Sequence, residues 1–161
     1  MRNNANNADC IGISQDRLRH SIAVARKCSE IAKKEFSASK EYCEDMFVLG
    51  FVHDIGYEFS HKQTAHALCG GEVLRRNDYR YSNEVSNHGE AGHVADSREQ
   101  YILDKADMMT SPKGEPISIS DRLDDIATRY GKGSIQYAEA AKLATEIKEQ
   151  ESKITSTNNH E

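Results

Sequence analysis

An apolar run in the first half of the chain ends in two side chains that are good metal ligands. Residues 47–52 (FVLGFV) are apolar, and His53 and Asp54 follow directly. A bare carboxylate is costly inside a protein, so Asp54 needs a partner there. An imidazole and a carboxylate together suit a divalent transition metal, namely iron, manganese, cobalt, nickel or zinc. The pair therefore predicts a site for one or two metal ions that draws further ligands from other segments.

Candidates for those further ligands stand on four other segments. His20 lies at the edge of the apolar face of the first predicted helix, which lets its imidazole point inward. Asp107 falls on the core side of its helix and is the preferred carboxylate, while Asp104 is the alternative. His66 and His88 flank two glycine-containing loops, which are expected to form the mouth of a pocket.

Helices must position these residues, because the hydrophobic pattern has a helical period and lacks the alternation that is typical of strands. We therefore predict an all-α fold. The apolar segment 46–52 is expected to be a central helix, and Gly70 and Gly71 predict the close approach of a neighbouring helix. Helix starts are expected near Ser14, Ser39, Thr64, Tyr79, Ser97, Ser118 or Ser120, and Ser134, with ends near residues 36, 52, 76, 87, 112, 130 and 151.

The composition favours a single domain. The chain has 161 residues, of which 37% are hydrophobic, 29% are charged and 2 are prolines. Residues 1–10 and 152–161 are polar and without periodicity, so we expect disorder on either side of one domain over residues 11–151, with the last two helices bracing the bundle.

Charge and hydropathy exclude several classes of partner. The 21 basic and 26 acidic residues give a net charge of −5, which argues against an extended nucleic-acid surface. No apolar run approaches the roughly 20 residues that span a bilayer, so we expect no membrane span and a cytoplasmic location. The four cysteines form no CxxC pair and are expected to be reduced thiols.

In this order, His20, the adjacent His53 and Asp54, and Asp107 resemble the HD-domain superfamily of metal-dependent phosphohydrolases, which is named after its His-Asp pair. The HDIG sequence at residues 53–56 matches the best-known form of that pair, and the likeness extends over about residues 14–111. Further similar segments are RLRHSIAVA (17–25), FVHDIGY (51–57), HALCGGEVLRR (66–76), SNHGE (86–90) and ILDKADMMTS (102–111).

The resemblance implies an HD-domain helical bundle that cleaves a phosphoester or phosphoanhydride bond of a nucleotide-like small molecule with metal-activated water. His53 and Asp54 would be the catalytic pair. The resemblance also implies a ligand set for one ion, namely His20, His53, Asp54 and Asp107. Asp54 would bridge to a second ion, which His66 and His88 would hold.

Among members of the superfamily, the chain is most similar to small stand-alone bacterial proteins, including the family that splits diadenosine tetraphosphate symmetrically. It shares with them the HA..G..L pattern after the His-Asp pair but has Tyr57 where a lysine often stands, which leaves the substrate open. Lys62 and Lys105 are candidates for contact with a substrate phosphate, and Arg19 and His61 are the other cationic or titratable groups nearby in sequence.

Two other functions use the same residues and stay open at this point. Some HD-fold proteins are di-iron oxygenases, in which the same kind of ligand set activates O₂. A non-catalytic nucleotide or metal sensor would bind without turnover. If the protein is a phosphohydrolase, its expected partner is a phosphorylated small molecule. The sequence leaves open whether it forms a homodimer.

Overall fold

A computed structural model describes residues 12–60 and 65–158, and these residues fold into seven α-helices with no β-strand. The helices are α1 (Gln15–Phe36), α2 (Lys40–Val52), α3 (His66–Arg76), α4 (Ser82–Asn87), α5 (Arg98–Met108), α6 (Ile119–Tyr130) and α7 (Ile135–Asn158). A short 3-10 helix at Ile55–Glu58 connects α2 to α3. The prediction of an all-α helical bundle is confirmed.

Serine caps define where five of the helices begin. In each case the serine hydroxyl oxygen accepts a hydrogen bond from the backbone N–H three residues later, which satisfies a donor that the helix itself leaves free. The capping residues are Ser14, Ser39, Ser97, Ser118 and Ser134. The start of α6 is therefore set by Ser118 and not by Ser120, the alternative that the sequence left open.

The core lies where α1, α2 and α5 pack together, with α7 against α5. α5 is the most enclosed helix, since eight of its eleven residues are buried. α2 is less enclosed than we expected from its apolar sequence. Met46 and Leu49 are buried, but Phe47, Val48 and Phe51 are 38%, 45% and 45% exposed. One face of α2 therefore packs in the core and the opposite face is apolar and exposed.

Glycines allow the closest approaches between elements. A Cβ atom at Gly50 would lie 2.7 Å from the Cα atom of Ala25, so α2 and α1 meet backbone to backbone at this point. A Cβ atom at Gly56 would overlap the carbonyl oxygen of His66, and one at Gly71 would overlap the hydroxyl of Ser86. The close packing predicted at Gly71 is confirmed, and Gly56 holds the 3-10 helix against the start of α3.

The last helix is longer than we expected. α7 continues to Asn158, although we predicted disorder from residue 152 onward. Ile154 packs against the core, and the Ser152 and Thr155 hydroxyls each donate to the carbonyl four residues earlier. This apolar contact and these local bonds keep a polar sequence helical. Residues 1–10, where we also expected disorder, lie outside the described part of the chain.

Within the described ranges, no helix has both the length and the apolar character needed to cross a lipid bilayer. The three cysteines in those ranges, Cys28, Cys43 and Cys69, are free thiols, and Cys28 is buried in the core. Cys10 lies outside the described residues.

Replacing Gly56 with alanine is expected to destabilise the protein, because the new Cβ atom overlaps the His66 carbonyl oxygen. Overpacking of this kind lowers the free energy of unfolding by about 1–3 kcal/mol. Gly133→Ala is the control, since no heavy atom lies within 4 Å of its Cβ position. Chemical denaturation should show the loss for Gly56→Ala only; equal stability of the two variants would contradict the close packing.

Candidate metal centre

The six ligands predicted from the sequence converge at one place in the bundle, although they come from five different helices or helix ends. Asp54 is at the centre of the group, and four of the six residues are buried. The contributing residues are His20 on α1, His53 and Asp54 after α2, His66 at the start of α3, His88 after α4 and Asp107 on α5.

The carboxylate of Asp54 faces imidazoles on both sides. Its Oδ1 atom lies 3.3 Å from Nε2 of His66 and 3.5 Å from Nε2 of both His53 and His88. Its Oδ2 atom lies 3.9 Å from Nε2 of His20. Asp54 is therefore shared between two sets of histidines.

Two groups of three residues have the spacing of metal ligands. The ligand atoms of His20, His53 and Asp54 lie within 4.8 Å of one another, and so do those of Asp54, His66 and His88. The Nε2 atoms of His66 and His88 are 3.1 Å apart. Neighbouring ligand atoms around one ion, each about 2.1 Å from it, are separated by about 3–3.5 Å. The distances among Asp54, His66 and His88 lie in this range, whereas His20 is slightly farther from Asp54, at 3.9 Å. The two groups are candidates for two ion sites that share Asp54.

Backbone carbonyls orient three of the imidazoles. A carbonyl oxygen only accepts hydrogen bonds, so each ring nitrogen that contacts one must carry the hydrogen as Nδ1–H. The pairs are His20 with Ser111 (2.8 Å), His53 with Gly50 (2.7 Å) and His88 with Val85 (2.6 Å). In the neutral rings the Nε2 lone pairs are then available at the centre, which is the arrangement that metal-binding histidines need.

His53 gives the clearest sign that the centre takes a cation. Its side chain is fully buried, and no described residue forms a hydrogen bond with its Nε2 atom. Burial lowers the pKa of His53 to about 4, so the ring is neutral at pH 7 and its lone pair has no proton. A buried polar atom without a partner is rare in a folded protein. A divalent ion at this position would satisfy it, and the donor set of imidazole nitrogens and carboxylate oxygens fits such an ion.

The two carboxylates of the centre are ionised. Burial opposes the ionisation of Asp54, but the adjacent His53 and hydrogen bonds with His66 and His88 outweigh it and hold the pKa of Asp54 well below its usual range. Burial also opposes the ionisation of Asp107, and the hydrogen bond from His20 outweighs it, so the pKa of Asp107 is lowered. Two anionic carboxylates among imidazoles form an electrostatic site for cations.

Asp104 and Asp107 have different surroundings. Asp107 Oδ1 lies 3.0 Å from Nε2 of His20, next to the first group of ligands. Asp104 is fully buried and accepts hydrogen bonds from the backbone N–H of Gly89 (2.9 Å) and from Gln100 Nε2 (3.0 Å). Burial raises the pKa of Asp104 to about 7. Asp104 thus holds the loop after His88, whereas Asp107 lies at the centre.

Lys105, predicted to contact a substrate phosphate, lies away from the centre. Its Nζ atom donates to Glu35 (2.6 Å), Glu151 (2.7 Å) and the Tyr101 hydroxyl (3.0 Å). Residues two apart on an α-helix point in nearly opposite directions, so the helix turn that brings Asp107 to the centre turns Lys105 toward α1 and α7.

Of the other cationic candidates from the sequence, Arg19 is the one within the described residues. Lys62 and His61 lie outside the described part of the chain. Arg19 is 63% exposed at its side chain and pairs with Asp16 on the same helix.

Sequence reasoning missed Arg17 and the role of Tyr57. Arg17 Nη1 donates to Oδ2 of Asp54 at 2.9 Å, and its guanidinium carbon lies 3.9 Å from the centre of the Tyr57 ring. The Tyr57 ring in turn stacks on His66, with centroids 4.3 Å apart and planes 16° apart. Arg17 stands one helical turn before His20, and this spacing was the signal that could have identified it.

Comparison with known families agrees with this geometry. The family model described as HD domain matches residues 17–127, a segment that contains all six converging residues. No curated protein and no solved structure gives a significant match to the chain.

Asparagine variants are expected to separate the two acidic residues of α5. Asp107→Asn should weaken metal binding at least about tenfold, because it removes the negative charge beside His20. Asp104→Asn should keep its metal. Elemental analysis after dialysis against dilute metal measures both. Loss of metal from Asp104→Asn together with normal metal content in Asp107→Asn would show that Asp104, and not Asp107, is the metal ligand.

Metal affinity is expected to rise with pH. Burial opposes protonation of His88, but its hydrogen bond with Asp54 and the charge of that carboxylate raise the pKa of His88 to about 9. An incoming ion must displace that proton, so affinity should fall about tenfold for each pH unit below 9.

The same proton stabilises the metal-free protein. Because the pKa of His88 is raised above the ordinary histidine value of 6.5, this contribution is complete below pH 6.5 and is lost as the pH rises through 9. Titration with Mn²⁺ and thermal denaturation between pH 6.5 and 9 measure the two effects, with the exposed His93→Gln as control. An affinity for Mn²⁺ that stays constant over this range would contradict the assignment.

Proposed function

The chain belongs to the HD-domain family, and from this premise we propose that it is a metal-dependent phosphohydrolase that uses two ions held on either side of Asp54. Membership in the family implies chemistry of the phosphohydrolase type. The observation that carries the proposal is the buried Asp54 carboxylate shared by two groups of histidines. His20 and His53 are the imidazole ligands on one side, with Asp107 next to them.

The residues of this chain have distinct tasks in such a reaction. His66 and His88 complete the second site, and Tyr57 holds the His66 ring in place by stacking on it. Arg17 neutralises part of the charge of Asp54 and fixes its carboxylate through Oδ2. When bound, a divalent ion lowers the pKa of a coordinated water from 15.7 toward about 7 and polarises phosphoryl oxygens. The buried His-Asp pair limits access of bulk water to the reacting atoms.

A nucleotide-like small molecule with a phosphoester or phosphoanhydride bond is the proposed substrate. Two cations on a shared carboxylate neutralise the negative charge of a phosphoryl group and of its leaving group. The HDIG sequence and the HA..G..L pattern after it support a likeness to the small stand-alone hydrolases, including those that split diadenosine tetraphosphate symmetrically. A cytoplasmic location and a homodimer stay predictions.

Elemental analysis of the purified protein, followed by phosphate release from a panel of nucleotides, tests the proposal. The panel contains nucleoside monophosphates, cyclic dinucleotides and dinucleoside polyphosphates. We expect two ions per chain and hydrolysis of one class. Asp54→Ala should lose both ions, because Asp54 is shared by both groups of ligands, and His53→Ala should lose the ion on the His20 side. Each variant should lower turnover by about a thousandfold or more. His93→Ala, an exposed histidine paired with Asp96, is the control and should behave like the wild type.

The same measurements distinguish the two ion sites and the alternative functions. His66→Ala and His88→Ala should each lose about half of the metal, whereas unchanged stoichiometry in both would indicate one ion. Full metal content in His53→Ala would contradict the proposal. Turnover that requires iron and O₂ would identify an oxygenase, and nucleotide binding without hydrolysis of any member of the panel would identify a sensor.

A further inference from the structure

Arg122 on α6 has two side-chain nitrogen atoms whose N–H groups have no acceptor among the described residues. Its side chain is only 15% exposed, and no described residue accepts a hydrogen bond from its buried Nε and Nη1 atoms. An oxygen of Asp125 lies 3.5 Å from Nη1, and that same oxygen is taken by Arg129 at 2.6 Å. Leaving donors of a charged group unsatisfied in the interior is costly, so Arg122 is poised for an acceptor from outside the chain.

The connection between α5 and α6 is fixed against α1 beside His20 of the metal centre. The carbonyl of Ser111 accepts the hydrogen bond from Nδ1 of His20, and a Cβ atom at Gly114 would lie 2.7 Å from the backbone oxygen of Arg19. The loop is closed by a bond from the backbone N–H of Ile117 to the carbonyl of Met109 (3.1 Å). The loop is therefore fixed to α1 at His20, and α6 begins directly after it.

Arg122 lies on the side of α6 that packs against the rest of the protein. Two neighbours of Arg122 are partly buried against the core: Ile119, three residues before it, and Leu123, the next residue. Residues three and four apart share a helix face, so the guanidinium projects from the packed side and not from the solvent side. The positive charge of Arg122 contributes to the low pKa of Asp107, after the larger effects of His20 and His53.

We propose that Arg122 binds phosphoryl oxygens of the substrate at the Asp107 side of the metal centre. This inference rests on the proposed function. The other arginine at the centre, Arg17, already donates to Asp54, whereas Arg122 has free donors next to the site. A guanidinium presents several N–H groups in one plane and keeps its charge at all relevant pH values, which suits phosphate oxygens.

Arg122→Gln tests this role, with Arg129→Gln as the matched control. Both arginines are on α6 and near Asp125, but Arg129 is 38% exposed at its side chain and bonded to Asp125. The readout is the affinity of the metal-loaded protein for inorganic phosphate by isothermal titration calorimetry, together with metal content. We expect Arg122→Gln to bind phosphate about ten- to a hundredfold more weakly with unchanged metal content. Arg129→Gln should match the wild type.

Arg122→Lys keeps the inference testable if the glutamine variant fails to fold. It keeps the charge but not the planar set of donors, and we expect an intermediate phosphate affinity. The KM of the substrate found with the nucleotide panel should rise in parallel with the weakening of phosphate binding, with a smaller change in kcat.

Two results would overturn the role of Arg122. The first is unchanged phosphate affinity in folded Arg122→Gln or Arg122→Lys, and the second is a loss of metal with unchanged phosphate affinity, which would mean that Arg122 only supports Asp107. Either result leaves the proposed function intact if the wild type hydrolyses a member of the panel. Absence of metal from the wild-type protein would instead overturn the proposed function itself.

Discussion

The buried negative charge of Asp54 is the constraint on which the rest of the structure depends. A carboxylate that is almost fully enclosed must be compensated, and here Arg17 and the histidines that surround it compensate it together. Arg17 satisfies one oxygen, while the other faces three imidazoles. The lone pair of His53 at the same point has no partner in the described residues. A bound cation would satisfy this lone pair and offset the charge of Asp54.

The helices are arranged so that this centre is rigid. Backbone carbonyls hold His20, His53 and His88 by Nδ1, so packing of the bundle also sets the direction of each Nε2 atom. Gly56 also contributes to this rigidity. Because it has no side chain, the segment after the His-Asp pair lies directly against the backbone of His66, the first residue of α3. The ligand geometry is thus a consequence of close backbone packing.

Helix periodicity predicted the fold class, and the types of the residues at helix starts predicted the serine caps. Periodicity also indicated that His20 and Asp107 face inward, but the full set of six candidate ligands came from the resemblance to the HD-domain superfamily. Nearness in sequence to the candidate ligands did not identify which cationic side chains lie at the centre. Lys105 was chosen because it is close to Asp107, yet the helix turns it to the opposite side, where it bonds to Glu35. Arg17 could have been found from its position three residues before His20. The burial of Arg122 depends on which segments pack against it, and a single sequence does not contain that long-range information.

Anomalous diffraction from crystals grown with Mn²⁺ tests the central claim most directly. The account predicts two manganese peaks about 3.5–4 Å apart, with the carboxylate of Asp54 between them. One peak should lie beside His20 and His53, and the other beside His66 and His88. Manganese bound only on the exterior of the bundle, with no peak in contact with Asp54, would contradict it.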